Sequence, residues 1–73
     1  MSTTNEILLV LGKKIRARRK TLGLSQEKLA DCCGFDRTYI SMLERGLRNP
    51  AFLNLVRLAN GLEVPLATLI KGI

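Results

Sequence analysis

The chain has 73 residues, room for one domain and not for two. Twelve Lys and Arg against six Asp and Glu leave a net charge of +6, which attracts polyanions without saying whether they are membranes, RNA or DNA. The lack of histidine, clustered carboxylates or a phosphate-binding glycine loop argues against an enzyme and gives no reason to expect a cofactor.

With 47% apolar residues the chain is able to build a core, although at this size only just. Its aromatics are Phe35, Tyr39 and Phe52, so Leu, Ile and Val must do most of the packing. A transmembrane span needs about 20 apolar residues, and no such run exists. The aliphatic stretch Ile7 to Leu11 precedes the basic cluster, the wrong order for a secretion signal, so a cytoplasmic location is expected. Cys32 and Cys33 are adjacent, a spacing that rarely bridges, and without further ligands they offer no metal site. They read as one buried and one partly exposed packing residue, with redox sensing as the alternative.

In chain order, the first helix is expected from about Thr4 to Leu22. Thr3 and Glu6 have capping-box spacing and Gly23 supplies a stop. Leu8, Leu11, Ile15 and Leu22 form its apolar stripe. Its second half is crowded with Lys13, Lys14, Arg16, Arg18, Arg19 and Lys20, which read chiefly as a solvated positive face. The second helix opens at the N-cap Ser25 and runs from Gln26 to about Cys33, with Leu29, Ala30 and Cys33 inward and Gly34 at its end. The third opens at Asp36 and runs from Arg37 to about Arg45, with Ile40 and Leu43 inward and Gly46 after it. Asn49 followed by Pro50 predicts the start of a fourth helix, with Phe52, Leu55, Leu58 and Ala59 as its core stripe and Gly61 as its stop. A short fifth helix is expected from Pro65 to about Lys71, and Arg57 and Lys71 read as solvated. No segment alternates as an exposed-face strand does, so the fold class is all-α, five helices in one domain, 1–73.

The informative stretch is 26–45. Ala30 lies four residues before Gly34 and Ile40 six after it. A small residue lets two helices cross closely, a glycine makes the sharp turn, and a branched aliphatic locks the second helix onto the first. These are the requirements of a helix-turn-helix, and the outward positions of the third helix carry hydrogen-bonding side chains.

The segment Leu22-Gly23-Leu24-Ser25-Gln26-Glu27-Lys28-Leu29-Ala30 resembles the phage-repressor-like (Cro and C-repressor, or Xre) helix-turn-helix family. The resemblance continues through Ile40-Ser41-Met42-Leu43-Glu44-Arg45-Gly46 and Asn49-Pro50, and covers about Ile15 to Ile70. Within that family, Asp36-Arg37-Thr38-Tyr39-Ile40-Ser41, Glu44-Arg45 and Arg48-Asn49 are similar to the controller proteins of restriction-modification systems.

The resemblance implies base reading by Arg37, Thr38, Tyr39, Ser41 and Met42, with Arg37 suited to guanine O6 and N7. Met42 departs from relatives that carry a polar side chain there, and reads either as a contact to a thymine methyl or as packing. Gln26, Arg45, Arg48 and Asn49 would hold the DNA backbone. Arg19 and Glu44 match a structural salt bridge. The surplus of apolar residues in 61–73 suggests a two-fold interface through Leu62, Val64, Leu66 and Ile70.

The expected function is thus a sequence-specific transcriptional regulator that binds a palindromic double-stranded DNA operator as a homodimer, with RNA polymerase as a further partner. A restriction-modification controller leads. A phage or mobile-element repressor and an antitoxin autorepressor are alternatives within the class, and an interaction module that has lost DNA binding is the alternative outside it.

Overall fold

The computed structural model describes residues 3–73 as five helices: α1 (Thr4–Thr21), α2 (Gln26–Cys33), α3 (Arg37–Glu44), α4 (Phe52–Gly61) and α5 (Leu66–Leu69). No strand occurs among the described residues, and none of their helices is long and apolar enough to cross a membrane.

Local chemistry sets the first three helices. Thr3 Oγ1 accepts the Glu6 N–H at 3.1 Å and Ser25 Oγ accepts the Lys28 N–H at 3.0 Å, each satisfying an otherwise orphaned helix-end donor. Asp36 is the N-cap of α3 by position, without a side-chain capping bond. Gly34 closes α2 at φ 76°, a conformation that a Cβ would disfavour, and lets the Phe35 N–H return to the Ala30 carbonyl at 2.9 Å.

The core gathers Leu11 and Ile15 of α1, Leu29, Ala30 and Cys33 of α2, Ile40 and Leu43 of α3, Leu58 and Ala59 of α4, then Leu62 and Leu69. Six side chains, Ile15, Leu29, Ile40, Leu43, Leu58 and Leu62, are fully buried. Each contributes about 1.5–3 kcal/mol relative to exposure. Two glycines allow helices to touch closely. A Cβ at Gly12 of α1 would stand 2.5 Å from the Leu43 carbonyl oxygen and 2.6 Å from that of Glu44, so α1 lies directly against the end of α3. A Cβ at Gly61 of α4 would collide with Cys33 Sγ of α2.

The second half of the chain departs from expectation in five ways. The N-cap of α4 is Ala51, not Asn49, and the helix starts at Phe52. Pro50 is buried and lines an apolar groove together with Leu8, Leu11 and Leu55, just ahead of the extended Ala51. Phe52 shares the helical stripe of Leu55 and Leu58, yet it is 65% exposed because the core ends before the first turn of α4. Gly61 is the last residue of α4, not its stop. Leu62 caps the helix, and the chain turns at Glu63, which takes φ 58°.

The remaining departures concern the expected two-fold interface and the fifth helix. Leu62 is 0% exposed, the last rung of the α4 stripe, and has no surface left for a partner. Val64 and Leu66 are half-buried against the same core, and only Ile70, at 39%, stays exposed. The helix after Pro65 is also shorter than expected, ending at Leu69.

Two cations of the basic α1 face are not simply solvated: Arg19, which is buried, and Arg18. Arg18 donates Nε–H to the Leu62 carbonyl at 2.8 Å and Nη2–H to the Glu63 carbonyl at 3.4 Å. It thereby satisfies carbonyls where α4 ends and ties α1 to the corner before α5.

Candidate nucleic-acid interface

α3 is held from behind by Ile40 and Leu43, both inside the core. Helical spacing then puts Arg37, Ser41 and Arg45 in one outward row, with Thr38 and Met42 beside it. Arg37, Thr38 and Arg45 are exposed, and Ser41 and Met42 are half-buried. Among the described residues Arg37 forms no ion pair, so its five N–H donors face solvent. Arg45 bends back, Nε–H to the Ser41 carbonyl at 3.3 Å, which keeps its cation along the helix end.

Tyr39 sits differently from its neighbours. It is half-buried, and its ring meets Phe35 edge-on, with centroids 4.9 Å apart and planes at 65°. The Arg48 guanidinium lies 5.2 Å from the Tyr39 ring centroid. The Tyr39 hydroxyl oxygen accepts Nδ2–H of Asn54 at 3.1 Å. Phe35 in turn carries Arg57 at 5.9 Å from its centroid, so Arg57 is a stacked cation and not only a solvated one. Phe35, Thr38, Tyr39, Met42, Arg48 and Asn54 line an open depression of about 380 Å3 beside the outward row.

Beneath this surface Arg19 of α1 meets Glu44, the last residue of α3, in a fork. Nε–H donates to Oε2 at 2.6 Å and Nη2–H to Oε1 at 2.9 Å, while Nη1–H reaches the Leu24 carbonyl at 2.9 Å. The hydrogen bond to Glu44 raises the Arg19 pKa, against the opposing effect of burial, so this cation stays charged at any working pH. Gln26 also turns to the pair, donating Nε2–H to Glu44 Oε1 at 3.2 Å. It is thus anchored at the first residue of α2, with its second amide hydrogen and the helix N-terminus beside it. Asn49 is exposed between Arg48 and the buried Pro50.

The structure therefore groups Arg37, Thr38, Ser41, Met42 and Arg45 on one side of α3, and sets Tyr39 and Arg48 beside them. Val64 and Leu66 lie with the core and apart from that group. Sequence reasoning missed Phe35 and Asn54. Phe35 was findable, since it stands four residues before Tyr39. Asn54 had only the weaker signal of an amide within an apolar helix.

The comparisons with known proteins agree with this fold. The helix-turn-helix family model matches residues 15–69. Control protein C.BamHI of Bacillus amyloliquefaciens is 45% identical over 62 residues, covering 84% of this chain and 76% of that one. The restriction-modification controller protein C.AhdI from Aeromonas hydrophila superposes with a TM-score of 0.83 at 40% identity, over 85% of this chain and 94% of that one. The controller protein C.Esp1396I, solved as a tetramer on its natural 35 base-pair operator, superposes with a TM-score of 0.82 at 35% identity, over 89% and 86%. With its turn at Gly34, its outward row on α3 and a family match across most of its length, the chain belongs to the helix-turn-helix family.

Proposed function

We propose that this protein is a sequence-specific transcriptional regulator, the controller of a restriction-modification system, that binds a palindromic operator as a symmetric dimer. The observation that carries the DNA-reading role is the outward row on α3, backed by buried Ile40 and Leu43 so that its polar side chains face away from the core. In this reading α3 enters the major groove. Arg37 takes guanine O6 and N7 as a bidentate pair, Thr38 and Ser41 use their hydroxyls, and Met42 lies against a thymine methyl. Tyr39, flanking them, is the fifth reader. Gln26 at the start of α2, with Arg45, Arg48 and Asn49, grips phosphates. The net charge of +6 adds non-specific affinity that salt weakens.

The controller assignment leans on the relatives named as control proteins, and the operator complex of C.Esp1396I supports duplex DNA as the ligand. No chemistry is assigned to the chain beyond binding, and we place it in the cytoplasm with its DNA.

The dimer face needs redrawing after the loss of Leu62. Exposed Ile70 and Ile73 join Ile7, Leu8, Pro50 and Leu55 around an apolar groove of about 270 Å3. Phe52 and Leu53, 65% and 72% exposed, follow Pro50 on the first turn of α4. Exposed apolar side chains in such number favour a partner, and a second copy meets them with its own.

The deciding experiment is enrichment of bound sequences from a random duplex pool, followed by Arg37→Ala. A palindromic consensus should emerge, and the substitution should cost about 1–3 kcal/mol with relaxed choice at one base pair per half-site. A pool that yields no consensus would remove the regulator reading.

A further inference from the structure

Asn54 lies on α4, outside the helix-turn-helix, yet its side chain ends on the one tyrosine of the chain. A phenol oxygen has one proton to give and lone pairs to receive. Asn54 Nδ2–H fills the accepting role at 3.1 Å, and among the described residues the Tyr39 proton has no acceptor. The ring itself is held by Phe35 at its edge and by Arg48 over its face. Both the position of the hydroxyl and the absence of an internal acceptor are therefore built in, at the margin of the depression beside the outward row of α3.

We propose that Asn54 is a positioning residue for DNA recognition: it pins the Tyr39 hydroxyl so that its proton is presented to an acceptor oxygen or nitrogen of the duplex. This rests on the reading above in which Tyr39 touches DNA. Donation into the phenol oxygen polarises its O–H and makes it a better donor, because linked hydrogen bonds reinforce one another. Pinning also spares the ordering cost that a free tyrosine would meet on binding. The acceptor is either a base edge or a phosphate oxygen, and these are separable by experiment. A role for α4 in recognition follows, although α4 contributes none of the outward row.

The test is a double-mutant cycle, read by fluorescence anisotropy on the enriched duplex and on a random duplex of equal length. The variants are Asn54→Ala, Tyr39→Phe and the pair, each first shown by circular dichroism to melt cooperatively above the assay temperature. Asn54→Ala should weaken binding to the enriched duplex about three- to tenfold, the effect of losing one modest hydrogen bond. In the Tyr39→Phe background the same substitution should change affinity less than about twofold, since the phenol it acts through is gone. A loss confined to the enriched duplex assigns the acceptor to a base edge, and an equal loss on the random duplex assigns it to phosphate. Either supports the proposal.

A full Asn54→Ala loss that persists in the Tyr39→Phe background would mean that Asn54 touches DNA by itself. That result overturns the proposal and leaves Tyr39 as a reader. No loss in Asn54→Ala where Tyr39→Phe does lose affinity also overturns it alone. A Tyr39→Phe variant that binds both duplexes like wild type would bring down the reading of Tyr39 and the proposal together.

Discussion

Arg19 and Glu44 close a two-bond fork between the first helix and the end of the recognition helix, with side chains only 10% and 4% exposed. Neither group has much water to fall back on. Arg19→Ala should therefore cost about 3–5 kcal/mol, because it strands a buried carboxylate. An apolar exchange of both partners, Arg19→Met with Glu44→Leu, should cost less than the single change. Thermal and urea melts give both numbers, and a single variant that melts like wild type would refute this account of the pair.

Gly61 and Cys33 form a second coupled contact. A methyl at Gly61 would run into Cys33 Sγ, so Gly61→Ala should destabilise by about 1–3 kcal/mol through overpacking. Adding Cys33→Ala removes the colliding sulfur and should recover part of that loss. Purely additive effects in the double variant would show that the clash is relieved elsewhere.

The two thiols should behave differently. Cys32 is exposed, while Cys33 is buried, and burial followed by the neighbouring Cys32 charge pushes the Cys33 pKa from 9.0 up to about 11. In native protein at about pH 8, a thiol reagent should label one equivalent quickly and the second only on unfolding. The folded state holds the Cys33 proton more tightly than the unfolded chain. Its contribution to stability is therefore complete below about pH 9 and is lost as the pH rises through about 11. Melts from about pH 8 to about pH 11 should show wild type losing more stability than Cys33→Ala. Equal pH dependence would contradict this.

Ile70 tests the apolar groove. It is 39% exposed and makes a poor core residue, so Ile70→Glu should leave monomer stability within about 0.5 kcal/mol of wild type. On a second copy the introduced charge would be buried. Sedimentation velocity at tens of micromolar should then shift toward monomer, and operator affinity should fall with it. A wild-type chain that stays monomeric with and without operator would discard the dimer itself.

Much of this was readable in the sequence because α1 to α3 are bounded by residues whose chemistry is local. Ser25 caps with its own hydroxyl, Gly34 turns with its own backbone, and Ile40 follows at a fixed distance. The start of α4 was not, because Asn49-Pro50 suits either a helix start or an extended strap. What decides is tertiary: the buried place Pro50 finds beside Leu8 and Leu11. Phe52 and Leu62 were exchanged for a related reason. Periodicity marks both as apolar-stripe residues, but it does not show where the core stops along the helix. The Asn54 bond to Tyr39 spans 15 positions between two helices and needs coordinates to be seen.

Gly12 has a bearing on how this protein meets its target. With no side chain there, α1 lies against the carbonyls of Leu43 and Glu44, so the recognition helix is braced by main chain as well as by packing. A reader braced in that way has little give. Mismatched curvature or groove width must be absorbed by the duplex, and base steps that α3 never touches should affect occupancy through their stiffness.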